Sequence, residues 1–85
     1  MISTSDIKAG NVTHYYDHIG VAVVDLTAGL TLGENIRVSG SAEFSQKVDS
    51  MQVEHQQVTS AKKGDTIGLK VAQAVKPGDE IVKIG

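Results

Sequence analysis

Three histidines, ten carboxylates and eight cations are the side chains here that could do chemistry. His14, Asp17 and His18 lie close together. A His-x-x-x-His pair binds a metal when one helical face presents both imidazoles. This segment reads as strand and turn, which scatters those side chains, and His55 stands far off in sequence, so no metal site is expected. Cysteine is absent, which excludes disulfides, thiolate ligands and a cysteine nucleophile. The chain has no phosphate-cradling Gly-x-x-x-x-Gly-Lys-[Ser/Thr] loop and no Gly-x-Ser-x-Gly elbow. Lys63-Gly64-Asp65-Thr66 only superficially looks like the former, having no strand-to-helix setting. Asp17, Asp25, Glu34 and Asp65 read as turn acids that satisfy local backbone donors. No catalytic residue and no cofactor is expected, and the chain reads as a non-enzyme.

The cations are unevenly distributed. Residues 1–61 hold Lys8, Arg37 and Lys47 against seven acids, whereas residues 62–85 hold five lysines against three acids. The net charge of −2 argues against non-specific binding to duplex DNA, which needs several clustered cations. Lys62, Lys63 and Lys70, joined by Arg37 from a neighbouring strand, nevertheless suit a phosphate chain. Gln52, His55, Gln56 and Gln57 would then hydrogen-bond bases or ribose.

The elements that must position these groups are strands. With 85 residues, one small domain is expected, residues 1–8 forming a polar lead-in and 9–85 a single β-barrel domain. Period-two apolar patterns predict strands over 11–16 (Val12, His14 and Tyr16 on one face), 19–25 (Ile19, Val21, Val23), 35–39 (Ile36, Val38), 66–73 (Ile67, Leu69, Val71) and 80–84 (Ile81, Val82, Ile84). Between 43 and 58 the apolar parity changes, from Phe44 and Val48 to Met51 and Val53. One strand cannot do that without turning its core face outward, so a bulge or sharp bend is expected near Asp49-Ser50. Strands bent this way turn the corners of small barrels. A glycine, an acid, a free position and an isoleucine recur at Gly33–Ile36, Gly64–Ile67 and Gly78–Ile81, each predicting a turn that launches an inward-facing strand. The longest apolar run, Val21 to Val24, is too short to span a membrane, and residues 1–6 lack a basic and apolar leader. A cytoplasmic location is expected.

Ser50-Met51-Gln52-Val53-Glu54-His55 looks like the modification hairpin of biotin carrier domains, but an amide, Gln52, stands where that family acylates a lysine. A hammerhead without the modified lysine is therefore a minor alternative. The wider pattern is more specific. Leu30-Thr31-Leu32-Gly33-Glu34-Asn35-Ile36-Arg37-Val38, the bent strand at Ser50–Glu54, and Ala61-Lys62-Lys63-Gly64-Asp65-Thr66-Ile67-Gly68-Leu69 follow one another in order across residues 10–84. The set resembles the second domain of translational GTPases such as elongation factor Tu. It also looks like the C-terminal barrel of collagenase-like peptidases.

That resemblance implies an all-β fold, a small closed six-stranded antiparallel Greek-key barrel standing alone without its GTPase domain. It implies an RNA partner of the tRNA type, with a role near translation. Glu54 occupies the place of an aromatic in the family's aminoacyl pocket, and Gln52 that of an acid. The alternative is a protein-interaction module that docks on a separate catalytic or GTPase subunit, as the related barrels dock on theirs. The candidate contact residues for either partner are Arg37, Gln52, Glu54, His55, Lys62, Lys63 and Lys70.

Overall fold

A computed structural model describes residues 7–41 and 43–84. Its strands are β1 (Ile7–Tyr16), β2 (Val21–Leu26), β3 (Leu30–Thr31), β4 (Asn35–Ser39), β5 (Phe44–Lys47), β6 (Met51–Val53), β7 (Gln56–Val58), β8 (Ser60–Ala61), β9 (Thr66–Lys70) and β10 (Glu80–Ile84). Every described pairing is antiparallel. Eight strands form one curled sheet in the order β5-β4-β10-β1-β2-β9-β6-β7, and β3 pairs with β8 apart from it. Ile7 and Lys8 of the expected lead-in belong to β1, and residues 1–6 lie outside the described residues. No helix among the described residues is long and apolar enough to cross a membrane.

The expected closed six-stranded barrel is corrected to this curled eight-stranded sheet. The expected bent strand is two strands: β5 pairs with β4, and β6 pairs with β9 and β7. Residues 48–50 between them belong to no strand, although Val48 exchanges backbone hydrogen bonds with Gly33 and Glu34 and the Ser50 carbonyl accepts from the Lys70 N–H. The change of parity is real and has the anticipated cause. Val48 and Met51 are both 1% exposed, at an odd spacing that an uninterrupted strand cannot bury on one face. Gln46 spans the gap left beside β5. Its side-chain amide donates to the Lys70 carbonyl (2.8 Å) and accepts from the Ala72 N–H (2.7 Å), as a backbone amide would in a ladder. β6 and β7 form a short hairpin, so Gln52 lies inside a strand opposite Gln57.

Alternation held where only one parity is apolar: Ile36 and Val38 of β4, Ile67 and Leu69 of β9, and Val71 after it are all buried. On β10, where Ile81, Val82 and Ile84 were all expected, Ile81 is buried and Val82 and Ile84 are half-buried. Alternation failed on the first two strands. A bulge between Val12 and His14 reverses the face of β1, so Val12 is buried while His14 and Tyr16 point outward. On β2 the buried set is Ala22, Val24 and Leu26, and the expected inward set of Ile19, Val21 and Val23 lies on the outer side. Val21 and Val23 share their parity with Asp25, whose charge stays in water, whereas Ala22, Val24 and Leu26 are apolar throughout and pack inside. Ala9 and Ala22 are fully buried, and the buried core side chains are aliphatic apart from the thioether of Met51.

The repeated turn has one construction. Glu34, Asp65 and Asp79 each donate their backbone N–H to the carbonyl three residues back, at Thr31, Lys62 and Lys76. Each carboxylate accepts the N–H of that same residue, at 2.9, 3.1 and 3.0 Å. The glycine before each acid has positive φ (89°, 94° and 98°), the third-position requirement of a type II turn. Ile36, Ile67 and Ile81 follow, all at most 1% exposed.

Candidate functional site

The correction on β2 creates the most distinctive surface of the molecule. An apolar strand face that does not enter the core must face something else. Ladder registers align His14, Val23, Gly68, Gln52 and Gln57 in one row across β1, β2, β9, β6 and β7. Gly68 has no side chain, so the row has a notch. A groove of about 250 Å³ lies there, lined by Tyr16, Ile19, Val21 and Val23 on one side and by Gln52, Glu54 and His55 on the other, over a floor of Thr66, Ile67 and Gly68. Tyr16 is 49% and Ile19 58% exposed. The ring of His14 rests against Tyr16 at a centroid distance of 4.7 Å.

The ends of the groove differ in charge. At the Tyr16–Val21 end, Lys70 is opposite Val21 and its ammonium donates to the Ile19 carbonyl (2.8 Å). At the other end Asp25 is opposite Thr66 and accepts its hydroxyl (2.8 Å). The β6–β7 turn brings Glu54 to that end. Glu54 and His55 both have positive φ (52° and 66°), as a two-residue type I′ hairpin demands. Glycine or asparagine usually fills such positions, and side chains there carry strain, which tends to gather at functional surfaces.

Of the seven candidate residues, the fold brings Gln52, Glu54 and His55 together on this groove. Lys70 borders it with its head held by a backbone carbonyl. Lys62 and Lys63 are exposed in the turn before β9, and Arg37 is exposed on β4, laddered to Val82 and Ser45. No lysine or arginine is among the described residues lining the groove. Sequence reading missed Tyr16, Ile19, Val21, Val23 and Gly68 as surface residues. The available signal was the doubly apolar stretch Ile19–Leu26, which leaves one parity outside whichever way it packs. Elsewhere His18 and Asp17 are exposed and 3.8 Å apart, and no group of three or more His, Asp or Glu among the described residues is placed to hold a metal.

The other distinctive polar group is Asp79, 3% exposed. It accepts the Ser41 N–H and hydroxyl, each at 2.8 Å, besides the Lys76 N–H. Burial pushes this carboxyl up, but the hydrogen bonds from Ser41 and Lys76 and the Lys76 charge outweigh it, holding it below its ordinary range. The contacts tie the turn before β10 to the end of β4, far from the groove along the sheet order.

No family model matches the chain. An uncharacterized protease of Methanocaldococcus jannaschii is 34% identical over 77 residues, which cover 88% of this chain and 19% of that protein. A collagenase of Porphyromonas gingivalis is 31% identical over 80 residues, 91% of this chain and 19% of the collagenase. The chain thus spans about a fifth of the length of the curated relatives it matches. Its fold is that of the C-terminal domain of a putative U32 peptidase of Geobacillus thermoleovorans, with a TM-score of 0.85 at 20% identity over 100% of this chain and 99% of that one. The selenomethionine variant of that domain gives 0.83 over 87% and 95%. The resemblance to collagenase-like peptidases is therefore supported, and the expected stand-alone elongation-factor-like module gives way to it. The relatives' names also turn the expectation of a non-enzyme toward a protease family, with the chain matching one part of each such protein.

Proposed function

We propose that this chain is the accessory β domain of a collagenase-like peptidase and acts by docking polypeptide, with cleavage performed by the rest of such a protein. The observation that carries this reading is the half-exposed apolar groove on the outer face, whose described lining has no cation. Side chains such as Tyr16 and Ile19 are normally buried when they cluster, and exposed clusters mark contact surfaces. The similarity to one part of longer proteases supports the same reading.

Surface plasmon resonance of the immobilised chain against the remaining four-fifths of the Methanocaldococcus protease tests it. Saturable binding is expected. No response at about 100 μM, where even a weak transient contact registers, rejects the docking reading. The RNA reading would place Arg37, Lys62, Lys63 and Lys70 on a phosphate backbone. A parallel titration with bulk tRNA at low salt distinguishes it, since a phosphate-binding surface would bind at roughly 10⁻⁴–10⁻⁶ M.

A further inference from the structure

The groove also has features that select what fills it. We infer that it takes a polypeptide segment presenting apolar side chains followed by a lysine or arginine, the apolar part over Gly68 and the cation at the Asp25–Glu54 end. This rests on the docking reading and adds the chemistry of the partner. Three observations converge on it. First, the walls are apolar for the length of the outer face of β2, from Ile19 through Val21 to Val23, and the notch at Gly68 leaves room for a side chain between Val23 and Gln52. Val21 Cγ1 leans over the notch, 3.2 Å from where a Cβ on Gly68 would stand, so the groove is shallow there and a partner's side chain rests on Val21 and Val23. Second, the charge at the two ends is opposite. Asp25 and Glu54 flank Thr66 at one end, and the Lys70 ammonium sits at the other. A segment with its cation at the first end meets attraction there, and the reverse placement sets a cation beside Lys70. Third, the two-residue β6–β7 turn, with Glu54 and His55 at positive φ, places Glu54 on the rim of the groove.

The remaining titratable groups nearby do not alter this pattern near neutral pH. Asp17, beside His18, adds negative charge in the loop between β1 and β2, while His14 and His55 are exposed. An acidic partner would face two carboxylates at the end where the cation is needed. A phosphate chain would find the one nearby ammonium already bonded to a carbonyl.

The experiment uses the whole chain, ¹⁵N-labelled, and two synthetic peptides. One alternates valine and threonine and ends in two lysines. The other ends in two glutamates. The lysine peptide is expected to shift the amides of Val21, Val23, Gly68 and Gln52. It should bind at least roughly fivefold more tightly than the glutamate peptide, a difference that shrinks as salt is raised. Glu54→Gln should remove most of that charge preference while leaving the apolar contact. Ile19→Ser should weaken both peptides roughly tenfold, as expected for losing about half an isoleucine's burial. Equal affinity for the two peptides overturns the inference, as do shifts confined to other surfaces or no shift at about 1 mM peptide. If the protease body binds the chain but the peptides show no charge preference, the partner chemistry is wrong and the docking reading stands. If neither binds, both fall.

Discussion

The turn at Lys76–Asp79 and the hairpin at Glu54-His55 make the same demand on the backbone and meet it in opposite ways. Each needs residues of positive φ. The first supplies Gly78 and then locks the turn with a buried carboxylate that accepts from Lys76 and Ser41. The second supplies two residues with side chains, both exposed. One construction favours stability and the other tolerates strain. The positive-φ pair lies on the groove rim, which Glu54 and His55 line. The difference separates an end of the molecule built to hold the fold from an end built to present a surface.

The largest expected effect is at the locked turn. Asp79→Ala leaves the Ser41 and Lys76 donors without their acceptor, and should lower the unfolding free energy by about 2–4 kcal/mol in urea titration. A loss below about 1 kcal/mol would mean that water replaces the carboxylate and that the turn is not locked. The pH dependence follows from the direction of the shift. The folded carboxyl sits below its ordinary 3.8, so its contribution is fully present above that value and fades as pH falls through the lower folded value. Asp79→Asn should therefore trail the parent by a constant margin at pH 5–7. That margin should narrow below about pH 4, in parallel melts of the two proteins.

Smaller effects of opposite sign are expected at the two left-handed positions. Gly78→Ala forces a Cβ into positive φ in open space, where no atom lies within 4 Å, so the penalty is purely conformational, about 1–2 kcal/mol. His55→Gly relieves strain of about 1–3 kcal/mol against an entropy loss of about 0.5–1 kcal/mol. The net expectation is a urea midpoint that rises slightly. A lower midpoint for the glycine variant would show that His55 makes a stabilising contact of its own, and the contrast between the two turns would weaken.

How far the sequence reveals this molecule depends on the residue. Ile36, Val38, Ile67, Leu69 and Ile81 could be placed because polar or small neighbours leave one inward parity, and the glycine–acid turns because positive φ is chemically selective. Val12 and His14 could not be placed on opposite faces, because the register shift between them leaves no mark in residue type. The split of the expected bent strand into β5 and β6 was likewise hidden, since the types of residues 48–50 permit a bend or a break. Three of the groove's ten lining residues were legible as contacts. Gln52, Glu54 and His55 were singled out as candidate RNA or partner contacts, whereas Val21 and Val23 of β2 were assigned to the core. Asp25, on the same parity as Val21 and Val23, was the residue that could have turned that face outward.

The smallest expected effect is also the one that divides fold from function most cleanly. Ile19 is an isoleucine at 58% exposure in a four-residue loop, and its carbonyl, not its side chain, is what Lys70 holds. Replacing it with serine keeps that carbonyl and removes only surface hydrocarbon. Stability should change by less than about 0.5 kcal/mol, the usual range for a surface substitution. A residue there for packing would show a larger loss in the same melt, because its apolar area would be leaving a core. If the melt is unchanged and binding of the protease body falls, then the outer parity of β2 is apolar for a partner's sake. The doubly apolar strand then has two separate causes, one on each face.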